Sequence, residues 1–537
     1  MKVIVIGGVA AGPSFATRLR RLNEEAEIIL LERGAHISYA SCALPYYLGG
    51  IITDRESLIE RTPEILKQKN NLDVRVQTNV EAIDPATKTL QVRSLTDGHG
   101  YQETYDKLVI ATGASPILPA IKGLTNASDA FTIRSINDAD KIKTFIDTHQ
   151  PQHITLLGAG AAGVELAENF RHRDLAVTLI DQAEHIMAPY DSDMAQLLEQ
   201  ELRAHDVDLR TNTAVTEVSD NGHTLTLAGG KTLATDLLIV VTGVAPNSEL
   251  AQAAGITLAE DGHIPVDAHL QTELPDVYAI GDVIETTSRI TGDRVPSVLS
   301  SAANRQGHLL ADIINGEALS YPGFIGVSVA QVFALTASNV GYTEAMLQEA
   351  GITDYDAVTI TPFDHAFFYP NAQRVNLKLI YQKGTGKLYG GQFIGHDGVD
   401  KRAGELAVAI AGGMTVNDLP DLEFPYSPPY ASSRDILNVA GYVAINRMTQ
   451  LANTVAFADL SADSRATGFF LDIREPGRPQ AGDIPATANI PLSQLRDRLA
   501  ELPQDKPIYI IERRGLGPYN ATRILAGHGY LVKIVTA

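Results

Sequence analysis

An α/β chain with two dinucleotide-binding units in tandem is predicted by three features of the sequence. An apolar, β-branched run leading into a glycine turn occurs twice, at Gly7 and at Gly158. Each turn is followed by a helical stretch and then by a second apolar run ending in an acid, Glu32 and Asp181. The 537 residues are too many for one core and fit three or four domains.

The first unit opens on Lys2-Val-Ile-Val-Ile6, which reads as a buried parallel strand. It leads into Gly7-Gly8-Val9-Ala10-Ala11-Gly12, and a helix is expected from Pro13 to about Asn23. The run Glu27 to Glu32 supplies the next strand and its terminal acid. Small residues in the turn let backbone approach a pyrophosphate at the helix N-terminus, and Glu32 can hold ribose hydroxyls. Val9 replaces the middle glycine of the usual G-x-G-x-x-G, so strand, helix and acid in register carry the assignment.

The second unit is Ile154-Thr-Leu-Leu-Gly158-Ala159-Gly160-Ala161-Ala162-Gly163, with a helix from Val164 to about Arg173 and a strand from Ala176 to Asp181. Asp181 would repel a 2′-phosphate and Gln182-Ala183-Glu184 brings no arginine, so NADH is favoured over NADPH. Two units imply two cofactors, and hydride transfer between nicotinamide and flavin is the economical explanation. Leu108 to Gly113 and Ile239 to Asn247 read as strand-turn segments that return the chain between the units. Val277-Tyr-Ala-Ile-Gly281-Asp282 sets an acid at a strand end, suited to the flavin ribitol chain.

Composition narrows the rest. With 45% hydrophobic and 20% charged residues the chain is globular in type. A net charge of −21 argues against nonspecific nucleic-acid or anionic-membrane binding, which needs a basic surface. No apolar run is long enough for a transmembrane helix, and no leader precedes the first strand, so a cytoplasmic protein is expected. One cysteine, Cys42, excludes a disulfide framework and any multi-cysteine metal site. Taken alone, Cys42 is either an inert core thiol or a reactive one.

The order of Gly7 to Gly12, Ala111-Thr112-Gly113, Gly158 to Gly163 and Gly281-Asp282 resembles the pyridine nucleotide-disulfide oxidoreductases over about residues 1–447. The resemblance implies an FAD domain in two pieces, 1–116 and 246–322, an inserted NAD domain at 117–245, and an α+β dimerisation domain at 323–447 that makes a homodimer. FAD would then be held by Gly7, Gly8, Ala11, Gly12, Glu32, Arg33, Val80, Ala111, Thr112, Gly113, Gly281, Asp282 and, on the helix near the flavin ring, Ala302. NAD would be held by Gly158, Gly160, Gly163, Glu165, Asp181 and Gly243.

Ser38-Tyr-Ala-Ser41-Cys42-Ala43-Leu44-Pro45 resembles the family's single-cysteine branch, which contains coenzyme A-disulfide reductases, NADH oxidases and peroxidases, and persulfide reductases. The resemblance implies that Cys42 cycles through a mixed disulfide with a small-molecule thiol. The branch's oxidases and peroxidases carry a histidine in the first glycine turn, where this chain has Val9-Ala10-Ala11, which favours a disulfide acceptor. Arg18, Arg20, Arg21, Lys67 and Lys69 are basic residues suited to coenzyme A phosphates, or else a solvated face. Arg18, Arg21, Ser38, Ser41 and Lys67 are the substrate-binding candidates. His365-Ala-Phe-Phe-Tyr369-Pro370 and Phe424-Pro-Tyr426-Ser-Pro-Pro-Tyr430 resemble the reductases' tyrosine motifs. Tyr369, Tyr426 and Tyr430 would reach the partner's thiol site across the dimer and supply a proton, unless they serve packing alone. Gly398 to Arg402 also fits the pattern. Ser41 and Phe368 depart from it, and Ala161 stands where many members have an aromatic.

Beyond Asn446 the composition shifts, and Met448 to Thr467 reads as linker plus a first helix. Gly468 to Glu475, Ile484 to Leu492 and Lys506 to Ile511 resemble the strands of a rhodanese domain, placed at 455–537. Glu512 stands where its nucleophilic cysteine would be, so a degenerate domain without sulfur transfer is expected. The favoured function is NADH-dependent reduction of coenzyme A disulfide. NADH oxidation by oxygen, peroxide or polysulfide, and a flavoprotein thiol sensor, stand as alternatives.

Overall fold

The computed structural model describes residues 1–475, 484–511 and 515–536, and divides into two units, Met1–Ala334 and Leu335–Ala537. In the first unit, five parallel strands lie in the order Val277–Ala279, Lys107–Ile110, Lys2–Ile6, Glu27–Leu31, Asp73–Arg75. The central strands are buried along nearly their whole length, because helices cover both faces of a parallel sheet. A second parallel sheet takes the order Val207–Arg210, Ala176–Ile180, His153–Leu157, Leu237–Val240, Ala130–Thr132.

The chain crosses between these sheets at an antiparallel pair, Ala114–Pro116 with Val244–Pro246. Asn247 fastens the crossing. Its Nδ2 donates to the Thr112 carbonyl at 2.8 Å, its own carbonyl accepts from the Thr112 hydroxyl at 2.7 Å, and its Oδ1 accepts from Ser115 at 2.6 Å. These are the return segments expected from sequence.

The two fingerprint helices run Ala11–Leu22 and Ala161–Arg171, each starting two or three residues before the expected position. Pro13 is tolerated inside the first turn because an N–H there has no intrahelical acceptor. The glycines do mainly steric work. A Cβ on Gly12 would lie 2.0 Å from the Gly7 carbonyl oxygen, and one on Gly7 would lie 2.0 Å from that of Ala111. Gly158 and Gly163 repeat the arrangement in the second unit.

The second unit holds four antiparallel strands, Leu335–Gly341, Leu388–Gly395, Asn376–Gln382 and Tyr355–Ile360, with the helices Val399–Ala411 and Ile436–Met448. The C-terminal segment forms its own parallel sheet in the order Thr454–Ala456, Val532–Thr536, Ile508–Ile511, Phe469–Asp472, Ala488–Asn489. This corrects the linker reading of 448–467. Thr454–Ala456 is an edge strand, Phe457–Asp459 is a 3₁₀ turn, and Ala462–Thr467 is the expected helix, capped by the Ser461 hydroxyl, which accepts from the Ser464 N–H at 3.1 Å. Glu512 lies outside the described residues. Among the described residues, no helix is long and apolar enough to cross a membrane, and no group of three acidic, histidine or cysteine side chains could hold a metal.

Candidate active site

The first glycine turn and the start of the second fingerprint helix border one cavity of about 890 Å³ in the first unit, a size in the range of cofactor pockets. Gly7, Gly8, Ala11, Glu32, Arg33, Val80, Ala111, Thr112, Gly113, Gly281 and Asp282, residues assigned to FAD from sequence, are brought together in its lining. Gly12 sits behind them, closing the helix onto the turn. Ala302 is corrected: it is wholly buried and stays out of the lining, where its helix Ser300–Ile314 presents Ser300, Ser301 and Ala303. One residue of helical phase separates the two placements.

The acid at the first strand end is fixed before any ligand arrives. Glu32 Oε2 accepts the Gly8 N–H at 2.7 Å and Oε1 accepts the Gly34 N–H at 2.6 Å. Asp181 does the same work in the second unit, accepting from Ala159 N–H at 2.7 Å and Ala183 N–H at 2.8 Å. The Gly281 turn is held by buried Gln306, whose Oε1 accepts the Gly281 N–H at 2.8 Å, while its Nε2 donates to Ser297 and Tyr321.

Sequence reasoning missed Arg134. It lines the cavity, and its Nη2 donates to Asp282 Oδ2 at 2.7 Å. The pair joins residues 148 apart, so no local pattern announces it. It adds, beside Arg33, a cation suited to a pyrophosphate, and with the glycine cradle this donor set fits a dinucleotide such as FAD.

Cys42 is exposed in the wall of the same cavity, beside half-buried Ser41. It sits on a 3₁₀ turn, Ser41–Ala43, that runs straight into the short helix Leu44–Leu48. The backbone entering that turn is bent hard: Ser38 adopts φ 45° and is buried, its N–H donating to the Gly8 carbonyl at 2.8 Å and its carbonyl accepting from the Glu60 N–H at 2.8 Å. The cysteine loop is thereby tied directly to the first glycine turn.

Ala161, Ala162 and Glu165 reach this cavity from the second fingerprint helix, whereas Gly158, Gly160, Gly163, Asp181 and Gly243 lie apart from its lining. Burial, and Glu168 on the same helix, raise the Glu165 carboxyl to about 7, partly offset by a hydrogen bond from Tyr46. Burial and the two glutamates in turn push Tyr46 up to about 12, and Cys42 adds to this.

The basic cluster separates on inspection. Arg20 is corrected: it is buried, and its guanidinium donates to the carbonyls of Asn23, Glu24, Ala26, Asn70 and Asn71, so it staples the helix to its neighbours. Arg18 grips Asp312 through Nε at 2.9 Å and Nη2 at 2.7 Å. Arg21, Lys67 and Lys69 are exposed.

In the second unit the two tyrosine segments lie side by side. The Ala366 N–H donates to the Pro428 carbonyl at 3.3 Å, and the Ser432 hydroxyl to the His365 carbonyl at 3.2 Å. Tyr369, Tyr426 and Tyr430 are 43%, 50% and 73% exposed, an unusual state for three neighbouring aromatics. Arg402, from the Gly398 to Arg402 pattern, underpins them. Only 1% exposed, it pairs with equally buried Asp435 at 2.9 Å and donates to the Asp364 carbonyl at 2.8 Å.

Comparison with known proteins agrees with this layout. Residues 1–307 match the family model for pyridine nucleotide-disulphide oxidoreductases, and residues 327–436 match that family's dimerisation domain. A coenzyme A disulfide reductase of Staphylococcus epidermidis is 33% identical over 444 residues, 82% of this chain and 99% of the relative. The crystal structure of reduced Bacillus anthracis CoADR-RHD is 44% identical with a TM-score of 0.97, covering 99% of this chain and 96% of that one. A NAD-dependent persulfide reductase from A. fulgidus is 35% identical with a TM-score of 0.92, covering 100% and 99%. A glycine turn and the second fingerprint helix around one cavity, a lone cysteine in its wall and these matches make one conclusion: the chain belongs to the pyridine nucleotide-disulphide oxidoreductases, FAD- and NAD(P)H-dependent enzymes of disulfide reduction.

Proposed function

We propose that this enzyme reduces coenzyme A disulfide, or a mixed disulfide or persulfide of coenzyme A, with NADH, through Cys42. The observation that carries the reading is the exposed Cys42 in the wall of a cavity bounded by the first glycine turn and by the second fingerprint helix. Bound FAD supplies two-electron transfer between nicotinamide and sulfur. Glu32, Thr112, Arg134 and Asp282 would hold it, and Cys42 does the sulfur chemistry. Its thiolate attacks one sulfur of the substrate, the S–S bond breaks, one thiolate leaves, and the other half stays on Cys42 as a mixed disulfide. With no second cysteine in the chain, two electrons must then cleave that mixed disulfide and free the second thiol.

Arg21 and Lys67, both exposed, are cations offered to substrate phosphates; Arg18 shares its charge with Asp312. Ser38 and Ser41 flank the thiol. Tyr369, Tyr426 and Tyr430 would act from the partner of a homodimer, a role their exposure supports. The coenzyme A disulfide and persulfide reductases among the relatives support those acceptors, and the first turn, Val9-Ala10-Ala11, lacks the histidine that would favour oxygen.

Denaturing the purified protein with a reductant should release one coenzyme A per resting Cys42, identified by its mass. Recovery of no coenzyme A, together with no turnover of its disulfide, would sink the assignment. For the nicotinamide side, Asp181→Ala should cut the preference for NADH over NADPH by at least about tenfold, since an anion that repels a 2′-phosphate is gone. An unchanged ratio of kcat/KM for the two nucleotides would refute the role given to Asp181.

A further inference from the structure

In a chain with 43 basic and 64 acidic residues, a cavity richer in cations than in acids is against the trend. One lies in the second unit, with a volume of about 300 Å³, the lower end of the range for small-molecule sites. Its lining includes Asp356, Tyr381, Lys383 and Arg447, with Gln450 and Asn453 from the segment that follows the helix Ile436–Met448.

The sheet supplies one wall. Tyr381 on the strand Asn376–Gln382 stands directly opposite Asp356 on Tyr355–Ile360, so their side chains share a face. Lys383 lies two residues beyond Tyr381, where a turn begins that is closed by the Gly386 N–H donating to the Gln382 carbonyl at 3.0 Å. The helix packs on this sheet and brings Arg447, in its last turn, to Asp356.

Asp356 is occupied within the wall. Its Oδ2 accepts the Arg447 Nε–H at 2.7 Å and its Oδ1 accepts the Ala357 N–H at 2.9 Å. That pairing leaves both terminal nitrogens of Arg447 without a partner among the described residues, and the Lys383 ammonium makes no ion pair among them either. Tyr381 is wholly buried, yet its hydroxyl meets no acceptor in hydrogen-bond geometry, although the charge of Asp356 is felt there. A buried hydroxyl left in that state is costly until something accepts from it. Three donor groups without acceptors therefore border one cavity.

We propose that this cavity binds a phosphate group, free or carried by a small phosphomonoester, held by the terminal nitrogens of Arg447, the Lys383 ammonium and the Tyr381 hydroxyl. Donors arriving from strand, turn and helix suit a tetrahedral group with at least three free oxygens better than a planar carboxylate with two. A guanidinium fork and an ammonium are the usual phosphate partners. A cation is the poorer fit. Bare carbonyls at a helix end would attract one, but here the N–H groups of Thr449, Gln450 and Leu451 return to the carbonyls of Ile445, Arg447 and Asn446. The site goes beyond the disulfide-reductase reading and does not depend on it, since Cys42 and its cavity belong to the first unit.

Calorimetry on the holoenzyme tests this, in phosphate-free buffer with NAD⁺ present to keep the dinucleotide sites filled. The titrants are inorganic phosphate, glycerol 2-phosphate and acetate. One saturable phosphate site per chain is expected, weakened by about tenfold in Lys383→Gln and by about a hundredfold in Arg447→Gln. Tyr381→Phe should weaken binding by about threefold or more while thermal unfolding stays level or rises, because the hydroxyl removed has no partner. Lys383 is exposed, so its variant tests the site even where Arg447→Gln, which strands Asp356, fails to fold. Tighter binding of glycerol 2-phosphate identifies an ester as the occupant, and tighter binding of inorganic phosphate identifies the free ion. Phosphate binding indifferent to both Lys383→Gln and Tyr381→Phe would place the ion elsewhere and overturn the proposal. Equal binding of acetate would overturn it too, as would no binding up to about 10 mM, the behaviour of a cavity that holds water alone.

Discussion

Replacing Cys42 by serine should lower disulfide-dependent NADH oxidation by at least about three orders of magnitude, while leaving flavin content and reduction of the flavin by NADH intact. A hydroxyl of near-identical size keeps the turn Ser41–Ala43 and its backbone bonds, so the loss isolates the chemistry. Serine is not ionised at neutral pH and cannot store the substrate's sulfur. The loss has no internal rescue, since Cys42 is the only cysteine in the chain. Anaerobic stopped-flow separates the two half-reactions. Full-rate turnover of disulfide by the variant would refute the thiol mechanism.

The second large effect is on stability. Arg402→Ala should destabilise the protein by about 3–5 kcal/mol, the usual cost of leaving one member of a buried ion pair alone. Arg402 and Asp435 are each 1% exposed, and the guanidinium also bonds the carbonyls of Gly398 and Asp364. Removing it strands the Asp435 carboxylate and frees the segment that carries Tyr369. The double variant Arg402→Met with Asp435→Leu should recover much of the loss, because no charge is then buried unpaired. Urea or thermal unfolding checks this. An Arg402→Ala protein unfolding within 1 kcal/mol of the parent would contradict the reading of the pair.

The parts of the site legible in sequence were those written locally. A strand, a glycine turn, a helix and an acid recur at fixed spacing because one backbone geometry demands them, and Gly7 with Gly12 meets a steric limit no larger residue passes. The illegible parts join distant residues. Arg134 meets Asp282 across the cavity, and Arg18 meets Asp312 across 294 residues. Arg20 reads as a surface charge in a helical pattern, yet the carbonyls of Asn70 and Asn71 draw it inside. The edge strand Thr454–Ala456 is too short for a periodicity to register.

The order of strands in the first sheet has a consequence for how the chain is made. Val277–Ala279 pairs with Leu108–Ile110, whereas the inserted sheet is complete once Leu237–Val240 has emerged. The inserted domain can therefore close while the surrounding one still shows an unpaired apolar edge at Leu108–Ile110. At translation rates of about 5–20 residues per second, that edge waits roughly 10–30 s for its neighbour. The nascent chain is stickiest in that interval, and a ribosome stalled between the two strands leaves a product prone to aggregate rather than a folded fragment.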